Sequence, residues 1–319
     1  MNIFDIAKKI NAKYYGEEKN ISNISNTSNL NESCIVLALT QNNIKDIPTD
    51  FRGVILTSKQ IASNHGFMNT LVSKEPKVSF AILMNLFSVT NLNKPKLTSI
   101  NGCDLSCGEN VFFGKNPSFG VNVVIENDVE IGDFVKIGHS VIIHNGVKIG
   151  NNVTINSGTI IGSEGFGNAL GRDHTWHHIA HLGSVVIGNN VSIGSNCTID
   201  RGTIENTVIS NNVILDNQIH IAHNVFIGEN TAIAAKVGIA GSCNIGKRNM
   251  IGGMVGIVDH IKTVDDVIIS ATSTVNKDLK EPGIYTGIMP ISNHNNWKRI
   301  AFWITKLDKI VRKFNIKKI

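Results

Sequence analysis

A six-residue period runs through the middle of this chain, and few folds are compatible with one. An apolar residue recurs every six positions at Cys107, Phe113, Phe119, Ile125, Ile131, Ile137, Ile143, Ile149, Ile155 and Ile161. The next residue is usually glycine, as at Gly108, Gly114, Gly120, Gly132, Gly138, Gly150 and Gly162. A second apolar column lies two residues earlier, at Val111, Val123, Val129, Val135, Val141, Val147 and Val153. The phase returns at Ile187, Ile193 and Ile199 and slips by four residues around Arg201–Val208. It resumes from Ile209 to Ile257 and fades through Thr263, Ile269 and Val275. Apolar residues two apart point to the same side of a short strand. Each hexapeptide is therefore a strand plus a turn. Three of them close a triangular coil of 18 residues, and coils stack at about 4.8 Å, the ordinary strand spacing. The glycine after each isoleucine is expected to serve an unusual corner backbone and the close approach of stacked coils.

Composition agrees with a thin aliphatic core. Aromatic residues make up only 6% and charged residues 17%, against 29 glycines and 6 prolines, which suits a solenoid better than a layered globule. The formal charge of +5 is mild, and the basic excess gathers near the C-terminus at Lys298, Arg299, Lys306, Lys309, Arg312, Lys313, Lys317 and Lys318. That run reads as a solvated helix face, with docking of an acidic partner as the sharper alternative, and no basic arm suggests nucleic acid. The five cysteines (Cys34, Cys103, Cys107, Cys197, Cys243) show no CxxC spacing, so no zinc or redox motif is visible. The first ten residues read as an amphipathic helix rather than a signal peptide. No stretch of 18 apolar residues occurs, so no membrane span is expected, and a cytoplasmic location is.

Three regions follow. Residues 1–98 lack the period and read as a small α/β domain, with helices near Ile3–Ala12 and Ser79–Val89 and strands near Ile35–Ala38 and Val54–Thr57. The segment Asn91–Leu97 reads as a linker. Residues 99–280 form the β-helix. Within it the 26-residue gap from Ile161 to Ile187 is not a multiple of six, so 163–182 is expected to be extruded as a loop. That loop carries Glu164-Gly165-Phe166-Gly167 and the histidines His174, His177, His178 and His181; long loops on rigid scaffolds commonly carry function. Residues 281–319 hold a turn at Glu281-Pro282-Gly283 and a helix from Asn293 to about Asn315. Its apolar stripe (Trp297, Ile300, Ile304, Leu307) requires a packing partner, its own copies or the prism wall.

The 18-residue coil serves as a ruler for locating a site. His223 lies two residues after the inward Ile221, and Gly241 lies 18 residues further on, so the two should stack one strand spacing apart. A histidine beside a glycine N–H suits acyl transfer: the imidazole removes a proton from the nucleophile and the N–H stabilises the oxyanion. His260, 37 residues after His223, should lie on the same edge, roughly 10 Å away. An isolated outward histidine is ordinarily a surface residue, and the stacked glycine and same-edge His260 weigh against that here. His220 is expected to face elsewhere and to support structure.

The segments Ile199-Asp200-Arg201-Gly202, Asp216-Asn217-Gln218, Ile221-Ala222-His223-Asn224, Ala240-Gly241-Ser242 and Glu281-Pro282-Gly283 resemble the UDP-3-O-(3-hydroxyacyl)glucosamine N-acyltransferases of lipid A biosynthesis. The resemblance extends over essentially the whole chain and implies that the β-helix is left-handed and parallel. It also implies a homotrimer with active sites between neighbouring prisms. The implied reaction moves a 3-hydroxyacyl chain from acyl carrier protein to the 2-amino group of the UDP-sugar. Carried over by motif, His223 is the general base, Asp216 its orienting partner and the Gly241 N–H the oxyanion donor. Asn224 and His260 line the substrate pocket, and Lys277 faces the acyl carrier protein. No metal or cofactor is implied, because the phosphopantetheine thioester is already activated. The family holds uracil with an N-terminal aromatic residue. The stretch Ser33–Asn43 has none, leaving Asn42 or Asn43 to supply an amide. Ser270, Ser273 and Thr274 are small where the acyl groove should close, which leaves room for a longer chain.

Other readings stay open. His139 and His144 have a spacing used by γ-carbonic-anhydrase-like metal sites, yet no histidine lies between His65 and His139 to complete one. A non-catalytic scaffold and another hexapeptide acyltransferase acting on a UDP-amino sugar are the remaining alternatives.

Overall fold

The computed structural model describes residues 1–88, 98–99, 105–288 and 291–313; the expected linker at Asn91–Leu97 lies outside them. The chain divides into a compact unit, Met1–Thr286, and a separate C-terminal unit.

Most of the first unit is a parallel β-solenoid with three flat faces, carrying ten, seven and nine strands. Each coil visits the first, second and third face in turn. Partners within a face are 18 residues apart wherever the repeat is unbroken, as for Val124↔Ile142 and Ile221↔Ile239. The valine and isoleucine columns form one continuous buried cluster from Leu105 to Leu279. At the open first coil the column is only half covered: Phe113 is 36% exposed and meets Phe119 edge to face. The last strand, Gly283–Tyr285, pairs with Val267–Ile269, so the solenoid runs a few residues past the expected end at 280.

The corners correct one expectation. The glycines after isoleucine do serve close approach: a Cβ on Gly132 would sit 2.7 Å from the backbone of Gly150 in the next coil. The left-handed backbone falls two residues later, on Asn152, Asn190, Asn212, Gln218, Asn224, Ser242 and His260, at φ near +60°. Asparagine tolerates that conformation better than most side chains, which accounts for its abundance in the repeats.

Both interruptions occur at the corner between the first and second faces. The first insertion separates Ile160–Ser163 on the first face from Val185–Ile187 on the second. It holds a two-stranded hairpin, Asn168–Leu170 with Trp176–His178. The second separates Thr198–Asp200 from Thr207–Ile209, whose Ile187↔Ile209 register carries the four extra residues. Arg201 ties the two together, donating to the Gly183 carbonyl at 2.7 Å and to the Asn145 side chain at 2.7 Å.

The N-terminal region is α/β and belongs to the same compact unit as the solenoid. Four parallel strands and one antiparallel edge strand, Ala12–Tyr15, form a five-stranded sheet. Its apolar cluster takes in Ile179, Leu182 and Ile204 from the two insertions. Polar contacts reinforce that seam, with Asn85 donating to the His178 carbonyl and the Arg172 N–H to Glu75. In the C-terminal unit a helix spans His294–Lys313, and Trp297, Phe302, Trp303, Ile304 and Leu307 are exposed.

Candidate active site

His223 occupies the corner between the first and second faces, one coil beyond the two insertions. The predicted stacking holds: the Ser242 N–H donates to the His223 carbonyl and the His260 N–H to the Gly241 carbonyl. The His223 ring lies directly against Gly241, where an added Cβ would be 2.6 Å from Nε2. At several other corners the equivalent N–H is capped by a side chain of the next coil, as Lys115 N–H is by Asp133 and Ser195 N–H by Asn217. Among the described residues, Gly241 N–H forms no such bond.

Asn224 fixes which nitrogen of His223 carries the proton. Its Oδ1 accepts from the Thr203 N–H at 2.9 Å, and its Nδ2 donates to the Glu205 carbonyl at 3.0 Å, so the amide has one orientation. His223 Nδ1 lies 3.1 Å from that same Oδ1. An acceptor oxygen requires the proton on Nδ1, which leaves Nε2 with a free lone pair toward Gly241. Asn224, expected to line the substrate pocket, thus contacts the histidine. Thr203 and Glu205 belong to the four-residue slip, so that insertion supports the site.

A cleft of about 710 Å³ opens beside these groups, lined by Phe166, Asp200, His220, His223, Gly238, Gly241, Gly256, His260 and Thr274, among others. His220 was expected to face elsewhere. It is the outward residue of its strand and borders the cleft, with Nδ1 2.8 Å from Thr198 Oγ1 and Nε2 3.7 Å from Asp200. Burial raises the Asp200 carboxyl above the usual range, against the opposing pull of His220, Ser163 and His223. Asp200 belongs to the Ile199-Asp200-Arg201-Gly202 segment, but nothing in its spacing marks it as the carboxylate of this cleft.

The other predicted residues lie apart. Asp216 stands at the corner between the third and first faces, a full side of the triangle from His223, and its Oδ1 accepts from the Asn217 N–H. Asn43 Oδ1 accepts from Thr40 in a capping box that starts the helix Gln41–Lys45, and Asn42 is exposed beside it. Lys277 is exposed on the His223 edge, three coils on. Of the three small residues expected to widen the groove, only Thr274 lines the cleft. Ser273 is 3% exposed and turned into the solenoid, and Ser270 contacts Thr286 at the third face. His139 and His144 stand at different corners, and His144 Nδ1 is 3.2 Å from Glu126.

The extruded loop reaches the site, and its histidines are not uniformly solvated. His181 is 4% exposed and packs edge to face on His223, ring centroids 5.3 Å apart. Burial, with a smaller contribution from His223, pushes its pKa down to about 4. The irregular loop length gave the coil ruler no purchase here.

The fold and this corner define a class, the hexapeptide-repeat acyltransferases. Residues 122–157 match the family model for the bacterial transferase hexapeptide (six repeats). Among solved structures the chain is similar to LpxA from Acinetobacter baumannii (TM-score 0.52, 25% identity, 58% of this chain and 70% of that one). It is also similar to LpxA, a UDP-N-acetylglucosamine acyltransferase from Bacteroides fragilis 9343 (TM-score 0.51, 26% identity, 61% and 73%). The UDP-3-O-acylglucosamine N-acyltransferase of Vesicomyosocius okutanii is 45% identical over 98% of this chain and 96% of its own, and that of Campylobacter concisus 39% identical over 91% and 94%. The chain belongs to the family of UDP-3-O-acylglucosamine N-acyltransferases.

Proposed function

We propose that this protein transfers a 3-hydroxyacyl chain from acyl carrier protein to the 2-amino group of a UDP-3-O-acylglucosamine, in lipid A biosynthesis, with His223 as general base. The observation that carries the reading is the Asn224–His223–Gly241 arrangement: a tautomer held with Nε2 free, facing a glycine whose N–H is uncapped. The amine nitrogen attacks the thioester carbonyl carbon, and Nε2 takes the proton that the nitrogen sheds. The oxyanion forms toward the Gly241 N–H. Collapse breaks the C–S bond, completes the amide and returns the proton to the departing thiolate.

His260, two coils above on the same edge, contacts the sugar or diphosphate, and Lys277 offers a positive charge to the acidic carrier protein. Asp216 bounds the first face at its opposite corner, so pairing with a histidine at the His223 corner requires a second copy of the chain, consistent with a trimer. Asn42, on the exposed face of its helix, remains the amide available to the uracil ring, because Asn43 is engaged in capping. Purified protein given 3-hydroxyacyl carrier protein and the free-amine UDP-sugar should form the amide. The reading fails if the free amine is not acylated, or if the hydroxyl of a UDP-2-acetamido sugar is acylated instead.

A further inference from the structure

The reaction just derived uses nothing from the extruded loop, yet the loop places an imidazole against the base. We propose that His181 is a positioning residue for the reaction: its buried side chain backs the His223 ring and holds Nε2 toward Gly241. The proposal rests on the reading of His223 as general base.

Three observations carry it. His181 is 4% exposed, and neither ring nitrogen completes a well-formed hydrogen bond among the described residues, the Ile179 carbonyl being the polar group nearest the ring. A histidine left unsatisfied in a core is costly, and a purely structural position would favour an apolar side chain. Its ring meets that of His223 at 69°, centroids 5.3 Å apart, while Asn224 holds the same His223 ring through Nδ1. The ring is thus constrained at two places. Finally, the loop closes over both imidazoles at a glycine. A Cβ on Gly165 would lie 3.0 Å from His223 Cβ and 3.1 Å from His181 Nε2.

Charge decides why the backing group must be neutral. His223 becomes an imidazolium when it accepts the amine proton. A cation in the His181 position would oppose that step at short range in a water-poor setting. Burial keeps His181 uncharged at neutral pH. Its own carboxylate neighbour, Glu164, accepts from the His181 backbone N–H and faces His178, rather than bonding the His181 ring.

The test compares His181→Ala, His181→Gln and Gly165→Ala with the wild type and with His223→Ala. It uses steady-state acylation by hydroxyacyl carrier protein, thermal melting, and ¹⁵N-imidazole NMR of His223. His181→Ala should lower kcat on the order of 10–100-fold with little change in KM, as expected for a misplaced reacting group. The His223 spectrum should change from a single Nδ1–H tautomer to a mixture. His181→Gln, uncharged and of similar reach, should restore most of kcat and the single tautomer. Gly165→Ala should lower kcat by pressing on both rings. The proposal is overturned if folded His181→Ala keeps the wild-type kcat and tautomer, or if His181→Gln is as slow as His181→Ala. An active His223→Ala would instead overturn the base assignment on which it rests, and the NMR arm separates the two.

Discussion

His223 Nδ1 and Asn224 Oδ1 lie 3.1 Å apart, between neighbouring residues on one turn. The bond is possible because Asn224 takes the left-handed backbone at φ +59°, which turns its side chain back along the corner. The amide is then locked by Thr203 and Glu205. Asn224→Ala should lower kcat by about 10–100-fold with the solenoid intact, since a base with the wrong tautomer faces the substrate with an N–H. Asn224→Asp should retain more activity than alanine, because a carboxylate oxygen also accepts from Nδ1. Steady-state kinetics of the two variants, with circular dichroism for the fold, check this; equal loss in both would contradict it.

Gly241 is required for space as well as for its N–H. An alanine Cβ would sit 2.6 Å from both Nε2 and Cε1 of His223, a distance no side chain tolerates without displacement. Gly241→Ala should cost about 10²-fold or more in kcat, because it moves the base and crowds the oxyanion site. Melting should show a smaller effect than kinetics, since the clash is relieved into the open cleft.

His181 also predicts a pH dependence of stability. Its folded pKa of about 4 lies below the ordinary 6.5, so the unfolded chain binds the proton more readily between those values. Stability should be fully present above about pH 6.5 and fall as the pH drops toward 4, by up to about 3 kcal/mol from this group. The charged groups acting on the ring are His223, Glu164 and His178, and Glu164 keeps the shift smaller than burial and the two histidines alone would make it. Thermal melting of the wild type and His181→Gln across that range should show a shallower slope in the variant.

The floor of the cleft is open because Gly238 and Gly256 face outward on adjacent strands, paired to one another and flanked by His220 and Thr274. A Cβ on either would meet nothing within 4 Å. Gly238→Val should therefore fold normally while filling space that a long acyl chain would use. Discrimination against longer donors should rise by about 10-fold or more, measured as the ratio of kcat/KM for long and short hydroxyacyl carrier proteins. An unchanged ratio would remove the acyl chain from this floor.

The solenoid and the His223–Gly241–His260 edge were legible because both depend on one number, the 18-residue coil. Any pair inside the unbroken repeat can be placed by counting. His181 was not legible, because the 163–182 insertion has no period and its return path depends on packing against the N-terminal sheet. Asp200 and His220 were missed for a different reason. They lie on the repeat, but their importance comes from the cleft that outward side chains and two glycines leave beside them. Asp216 was placed by motif and not by counting: within one chain it stands a face away from His223, so the pairing it was expected to make calls for a second copy of the chain. The corner glycines were half understood, since close approach was correct and the left-handed backbone belongs to asparagine two positions later.

The central claim is that His223 takes the amine proton. Its most direct test is the single-turnover rate of amide formation by His223→Ala, with saturating hydroxyacyl carrier protein and free-amine UDP-sugar. The predicted result is a fall on the order of 10²–10⁴-fold, the usual contribution of a general base, with melting unchanged. A rate within a few-fold of the wild type would contradict the account.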